Sequence, residues 1–194
     1  YFSGAPDPDF LTFSGSGEPT LNSRMGEVID FIRRIRPEIP IAVLTNGTLL
    51  YDPEVQSAIR TVDLVLPSLD AATERVFKAI NRPPATLSLN RILQGLVDFR
   101  NEFSGTIWLE VLILPGFNDH DDELMALRDA VVEIRPDVVQ LNTLDRPGTV
   151  PGLRGATQAE LRRVVDLWGL ANVEIIAAAP QRKRLKAYRK DAET

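Results

Sequence analysis

The chain has 194 residues, of which 44% are hydrophobic and 25% charged, ordinary proportions for one soluble globular domain. Its formal net charge of −5 gives no general attraction to nucleic acid or anionic lipid, and no apolar stretch is long enough to span a bilayer. With no cysteine and one histidine, His120, the sequence excludes disulfides, thiolate metal sites, Ser-His-Asp triads and multi-histidine metal sites. No signal peptide is visible, so we expect a cytoplasmic protein with no membrane partner.

Strand-like runs alternate with amphipathic helical stretches along the whole chain. Strands are predicted at residues 10–13, 41–44, 64–66, 107–114, 138–141 and 173–177. Four apolar stripes at helical spacing predict the main helices: Met25, Val28, Ile29, Ile32 and Ile35; Leu89, Ile92, Leu93, Leu96 and Phe103; Leu124, Leu127, Val131 and Ile134; Leu161, Val164, Val165 and Trp168. Short helices are predicted near 71–80 and after Pro53. This alternation predicts an α/β fold with a parallel sheet, and it does not decide between a barrel and an open sheet.

The turn after the first predicted strand is the most informative segment. It reads Gly15-Ser16-Gly17-Glu18-Pro19, two glycines one residue apart followed by an acid. Glycines there leave the backbone free to take unusual dihedral angles and to offer its N–H groups to a ligand. Glu18 places a carboxylate at the C-terminal rim of a strand, where α/β folds bind small molecules.

Polar side chains interrupt the predicted strands on one face. On strand 107–114 the residues Ile107, Leu109, Val111 and Ile113 share a face suited to packing under helices, while Glu110 lies on the other. The same alternation places Gln140, Asn142, Thr12 and Ser14 on that inner side. Unpartnered buried polar groups are costly, so their convergence predicts a polar ligand cavity. The alternative is a buried network of hydrogen bonds that satisfy one another.

Further polar groups end the next two strands and begin two helices. Thr45-Asn46-Gly47 and Ser68-Leu69-Asp70 put side chains on the same rim. The run 118–122, Asn-Asp-His-Asp-Asp, is predicted to N-cap the helix that follows, with a divalent ion site as the less favoured interpretation. Residues Thr157 and Glu160 form a capping-box pattern at the start of the last helix.

These motifs, in this order, resemble the radical S-adenosylmethionine (SAM) enzymes, within them the iron–sulfur oxidoreductases related to the wyosine-forming tRNA enzymes. Ser16, Gly17 and Glu18 stand where the family has Gly-Gly-Glu, which implies that they hold the SAM amino group. The resemblance also implies that Asn46 contacts SAM and that Ser68 and Asp70 approach its ribose and carboxylate. Leu114 and Gly116 belong to a motif that packs on adenine, in which Asp119 replaces the usual glutamate. Gln140 to Thr143, followed by Arg146, is similar to the last strand and its exit, with Asn142 near the cofactor.

The fold implied by the resemblance is a partial (βα)6 TIM-like barrel with outer helices, from which the first βα unit is missing. We expect this core over residues 1–181 and a basic tail over 182–194. The implied function is reductive cleavage of SAM to a 5′-deoxyadenosyl radical that abstracts hydrogen from a substrate, with Glu110 and Gln140 lining the substrate cavity. The family holds a 4Fe-4S cluster through three cysteines, which this chain lacks. We therefore expect these residues alone to be inactive.

Two other functions stay open. The chain could be a cluster-free module that binds SAM or a nucleoside, or an ordinary barrel enzyme with Glu110 as general base. A radical SAM enzyme needs an external electron donor. The resemblance to tRNA-modifying enzymes suggests an RNA substrate, but the net charge of −5 does not support one. The basic tail is more typical of a solvated helix face than of a nucleic-acid contact.

Overall fold

The computed structural model describes residues 8–15, 17–144 and 152–176. The predicted site residue Ser16, the exit residue Arg146, Ala177 and the basic tail lie outside the described residues. The strands are β1 (Leu11–Phe13), β2 (Ile41–Thr45), β3 (Leu64–Pro67), β4 (Thr106–Leu112), β5 (Val138–Asn142) and β6 (Val173–Ile175). The helices are α1 (Met25–Ile35), α2 (Pro53–Ile59), α3 (Glu74–Ile80), α4 (Leu89–Glu102), α5 (Asp121–Ile134) and α6 (Gln158–Trp168), with a short 3-10 helix at Pro19–Leu21.

The six strands form one sheet in the order β1-β2-β3-β4-β5-β6, and every neighbouring pair is parallel. Each connection between strands runs through one helix, except that α3 and α4 both lie between β3 and β4. The predicted α/β fold with a parallel sheet is therefore confirmed. Within the described residues the sheet does not close, since β1 and β6 each pair on one side only.

The two faces of the central strands differ as the alternation predicts. On β4, Ile107, Leu109 and Val111 are at most 1% exposed and pack into the core under the helices. Glu110, on the opposite face, is partly exposed. β5 repeats the pattern, with Val139 and Leu141 buried and Gln140 partly exposed. The register pairs Glu110 with Gln140, so the polar side chains of the two strands lie side by side.

Two predicted elements differ in detail from the structure. β4 ends at Leu112 rather than at 114, because the side chain of Asn118 bonds both Leu112 O and Leu114 N and draws the chain away from the sheet. In the α1 stripe Ile29 is buried, but Ile35 is 53% exposed. α1 packs along α2, and Ile35 lies at its C-terminal end.

Two aspartates fasten the entering ends of strands at the rim opposite the predicted site. The carboxylate of Asp63 accepts from Ile41 N at 2.6 Å and from Arg33 of α1. Asp137 repeats this arrangement, accepting from Ile107 N at 2.7 Å and from Arg100 of α4 at 2.9 Å. We call Asp63 and Asp137 the strand-start clamps. Each accepts from an N–H at the start of the preceding strand, Ile41 in β2 or Ile107 in β4, and ties a helix to the sheet.

No helix in the described ranges has both the length and the apolar character needed to cross a bilayer.

Candidate functional site

Glu18 joins the C-terminal rims of β1 and β2. Its Oε1 accepts from Thr20 N at 3.1 Å and from the hydroxyls of Thr20 and Thr45, each at 2.6 Å. Its Oε2 accepts from Asn46 N at 2.7 Å. Oε1 thus already has three donors, whereas Oε2 has one and keeps an acceptor position. Glu18 is thus already part of the framework and retains limited capacity for a ligand.

Asn46 shapes the turn that leaves β2. Its side-chain oxygen accepts from Thr48 N at 2.9 Å and from the Thr48 hydroxyl at 2.6 Å. The next residue, Gly47, has φ +73°, a left-handed conformation that favours glycine. The turn therefore depends on the Asn-Gly pair.

The loop over residues 68–73 is fastened to β4. Ser68 bridges to Glu110, and Leu69 N donates to Glu110 O at 2.9 Å. The carboxylate of Asp70 accepts from Leu112 N at 3.0 Å. Burial raises the pKa of Asp70 to about 6, the nearby charge of Glu110 adds to the rise, and the Leu112 hydrogen bond opposes it. At neutral pH Asp70 is therefore an ionised acceptor in a poorly solvated place.

Asn118 has a role that the sequence did not predict. It is fully buried and does not cap α5; the N-cap residue is His120, which makes no side-chain cap hydrogen bond. The run 118–122 therefore supplies the N-cap residue as predicted, with Asp121 and Asp122 in the first turn, but the side chain of His120 does not bond the helix end. Asp119 accepts from Gly116 N at 2.7 Å and closes the preceding loop. No group of residues in the described ranges has the composition of a metal site.

Glu123 was not singled out by the sequence, because a charged residue in the first turn of an amphipathic helix is usually solvated. The structure buries it completely. Its carboxylate accepts from Ala72 N at 2.6 Å, from Thr73 N at 3.2 Å and from the Thr73 hydroxyl. The described residues therefore satisfy this buried charge without a ligand.

The polar inner face is partly a network and partly open. Asn142 Nδ2 donates to Glu110 Oε1 at 2.7 Å, and Asn142 Oδ1 accepts from Thr143 N at 2.8 Å. Gln140 makes no side-chain hydrogen bond within the described residues and is partly exposed. The predicted ligand cavity and the alternative of a self-satisfied hydrogen-bond network thus each hold in part. Glu110 and Asn142 bond each other, whereas the side chain of Gln140 stays available to a ligand.

A cavity of about 500 Å³ lies at the C-terminal rim, between the turn after β2 and the connection from α3 to α4. Of the residues predicted to bind SAM, it is lined by Glu18, Asn46, Ser68 and Asp70. The other predicted residues with described positions, Gly17, Glu110, Leu114, Gly116, Gln140 and Asn142, do not line it. Leu114 is only 6% exposed, and Gly17 lies beside a shallower cleft next to Glu18.

The same cavity carries two arginines and a tyrosine that the sequence reasoning missed. Arg82 is a non-glycine residue with φ +47° just before Pro83 and Pro84, and it has no ion pair among the described residues. Arg91, in the first turn of α4, stacks over the Tyr51 ring at 3.6 Å from its centroid. The Arg-Pro-Pro turn directly after a short helix was the available signal for Arg82.

The sequence model of the Radical SAM superfamily matches residues 9–128, more than half of the chain. The chain belongs to the radical SAM superfamily. It is 43% identical over 138 residues to a GTPase Obg of Brachyspira hyodysenteriae, covering 71% of this chain and 20% of that protein. It is 35% identical over 141 residues to a UPF0026 protein of Helicobacter pylori, covering 73% of this chain and 46% of that protein. The chain thus spans less than half the length of either relative.

A solved domain of a pyruvate-formate lyase-activating enzyme from Bacteroides vulgatus has a similar fold. Its TM-score is 0.66 at 19% identity, and the match covers 85% of this chain and 97% of that domain. At this identity the likeness shows the fold alone. It agrees with the radical SAM TIM-like barrel architecture, here with an unclosed sheet.

The radical SAM superfamily is a family of enzymes whose members use SAM and a 4Fe-4S cluster. The residues of this chain fit SAM but not the cluster. SAM carries an ammonium, a carboxylate and a ribose. For these the cavity offers, in order, an acceptor position on Glu18, the guanidinium of Arg82, which is without an ion pair in the described ranges, and the ionised carboxylate of Asp70. The cluster needs cysteine thiolates, and the 194 residues contain no cysteine. The cluster therefore does not fit this chain.

Proposed function

We propose that this chain is the SAM-binding barrel of a radical SAM enzyme and that these residues alone do not carry out the reaction. The observation that supports the proposal most is the meeting of Glu18, Asn46, Ser68 and Asp70 around one cavity with Arg82, which has no ion pair among the described residues. The first four come from three separate strand ends, so no local sequence constraint brings them together. A cavity of about 500 Å³ is within the range of small-molecule sites.

In this proposal each polar part of SAM has a partner. The remaining acceptor position of Glu18 Oε2, with the backbone carbonyl of Gly17, takes the amino group. Arg82 takes the carboxylate, beside the Ser68 hydroxyl, and Asp70 accepts from the ribose hydroxyls. The contacts of Leu114, Gly116 and Asn142 with adenine stay predictions, because none of the three lines this cavity.

The inner face contributes positioning rather than proton transfer. When bound, SAM supplies the hydrogen-abstracting chemistry of the superfamily. A substrate is oriented against the sheet by Gln140 and by the Glu110–Asn142 pair. The side chain of Gln140 is available for this because it makes no hydrogen bond within the described residues. Because one oxygen of Glu110 is held by Asn142, the proposal gives Glu110 no role as a general base.

Calorimetric titration of SAM into the complete protein that contains this chain tests the assignment. Arg82→Ala should weaken SAM binding about tenfold or more, because a charge-assisted hydrogen bond to the carboxylate is lost. Arg34→Ala, an exposed arginine on α1, is the matched control and should bind like the wild type. Equal affinity of Arg82→Ala and Arg34→Ala would contradict the role of Arg82. No SAM binding by the wild type would contradict the proposed function itself.

The cluster-free binding module is the second candidate, favoured by the lack of cysteine in these residues. The two candidates separate when the complete protein is reconstituted anaerobically with iron and sulfide and its visible spectrum is recorded with and without SAM. A cluster band that SAM perturbs supports the radical enzyme, together with its external electron donor. A colourless protein that binds SAM supports the module. An RNA substrate and a cytoplasmic location stay predictions.

A further inference from the structure

Two polar side chains in the core have no solvent exposure and come from the same βα unit. Asn118 lies between β4 and α5, and Glu123 lies in the first turn of α5; both are 0% exposed. Burying an amide or a carboxylate costs free energy unless it is fully hydrogen-bonded. The partners of these two side chains therefore show what the burial achieves.

Asn118 connects the two loops that carry predicted SAM contacts. Its Nδ2 donates to Asp70 O at 2.9 Å and to Leu112 O at 2.6 Å, and its Oδ1 accepts from Leu114 N at 2.7 Å. Asp70 is in the loop over residues 68–73, and Leu114 begins the loop over residues 114–119. One side chain thus fixes the spacing between them.

Glu123 holds the far end of the same loop. Both of its oxygens are used, one by Ala72 N and Thr73 N and the other by the Thr73 hydroxyl. These contacts span 50 and 51 positions of the sequence, so they are tertiary. Glu110 and Leu112 of β4 hold the near end through Leu69 and Asp70. The loop over residues 68–73 is therefore set mainly by the next βα unit.

We propose that Asn118 and Glu123 are positioning residues that hold the loop over residues 68–73 in its binding geometry and couple it to the loop over residues 114–119. The inference rests on the proposed function for the identity of the ligand. Neither side chain touches SAM in this proposal. They act through Ser68 and Asp70, whose placement at the cavity depends on the loop that Asn118 and Glu123 fasten.

The test compares Glu123→Gln with Asp137→Asn in the complete protein. Both substitutions replace a carboxylate that accepts from backbone N–H groups, but Asp137 is a strand-start clamp at the opposite rim. Two readouts are made at a temperature where both variants are folded. They are the Kd for SAM by calorimetry and the hydrogen-exchange rates of the Ala72 and Thr73 amides.

We expect Glu123→Gln to weaken SAM binding about tenfold and to speed exchange at Ala72 and Thr73, with saturating SAM restoring part of the protection. Asp137→Asn should be less stable yet bind SAM like the wild type. If Glu123→Gln does not fold, Thr73→Val, which removes one donor to the same carboxylate, is measured instead, with a smaller loss expected in the same direction.

Equal SAM affinity in the wild type and the variant would overturn the inference, as would unchanged exchange at Ala72 and Thr73. A wild type that binds no SAM would instead contradict the proposed function. In that case the exchange readout alone decides whether Glu123 fastens the loop.

Discussion

Three carboxylates near the site show how environment sets the role of one functional group. Glu123 is buried and saturated by donors, so it is structural. Glu18 is nearly saturated but keeps one acceptor position. Asp70 has a raised pKa because it is desolvated and near Glu110. In Asp70 desolvation outweighs the hydrogen bonds that favour the charged form.

Asp70 should make the stability of the protein depend on pH in a defined direction. Its pKa rises from 3.8 to about 6 on folding, so the folded state holds the proton longer than the unfolded state. Its contribution to the free energy of unfolding should fall between about pH 4 and pH 6, by at most about 3 kcal/mol, and stay low above that range. Asp70→Asn keeps an acceptor for Leu112 N and lacks the titration. Urea unfolding of both proteins from pH 4 to pH 8 measures this, and parallel stability curves would contradict it.

The sequence predicted those site residues that belong to strand ends and missed those that act across the fold. Glu18, Asn46, Ser68 and Asp70 follow strands directly, and parallel strands bring their carboxyl ends to one rim. Asn118 and Glu123 acquire their roles from partners about 50 positions away, which no local pattern encodes. Arg82 was overlooked because an exposed arginine in a turn is usually solvated.

At the scale of elements, the turn after β2 is held against α4 by close backbone packing. A Cβ built on Gly95 of α4 would lie 2.7 Å from the Cα, Cβ and N of Tyr51. Tyr51 in turn lies under the guanidinium of Arg91 and lines the cavity. Gly95 is therefore a packing requirement of the site and not a weak point of the helix.

Gly95→Ala should destabilise the protein by about 1–3 kcal/mol, because overpacking outweighs the gain in helix propensity of about 1 kcal/mol. Gly26→Ala in α1 is the matched control: its nearest contact would be 3.4 Å, an ordinary van der Waals distance. That variant should be neutral or slightly more stable. Thermal unfolding compares the two, and a Gly95→Ala protein as stable as Gly26→Ala would refute the packing argument.

Elements with a complete local signal were predicted well. Thr157 and Glu160 form both reciprocal bonds of the capping box at the start of α6. α1 had an equally clear stripe, yet Ile29 is buried while Val28 and Ile35 are exposed. The spacing of apolar residues predicts which face of a helix is apolar. It does not predict how much of that face is buried, because burial depends on the elements packed against the helix.

At the scale of the whole molecule, β1 is one of the two edge strands of the sheet that the described residues form. In the same βα unit, Phe31 of α1 is 52% exposed. A free strand edge next to exposed apolar side chains favours self-association. We expect this 194-residue chain to associate through that side.

Phe31→Lys should therefore reduce association of the chain, because it places a charge in the exposed apolar stripe. Val132→Lys on α5, where Val132 is similarly exposed at 50%, should leave association unchanged. Sedimentation velocity over a range of concentrations measures both. Equal association of the two variants would exclude the α1 face as the contact.

The strand-start clamps separate the residues that stabilise the sheet from those that line the cavity, and this separation has an evolutionary consequence. Asp63 and Asp137 secure the strands at one rim, while the residues that line the candidate cavity occupy the other. Mutations in the loops that shape the cavity leave these fastenings intact. A lineage with this architecture can therefore explore new substrates by drift in its rim loops while the inherited scaffold stays folded.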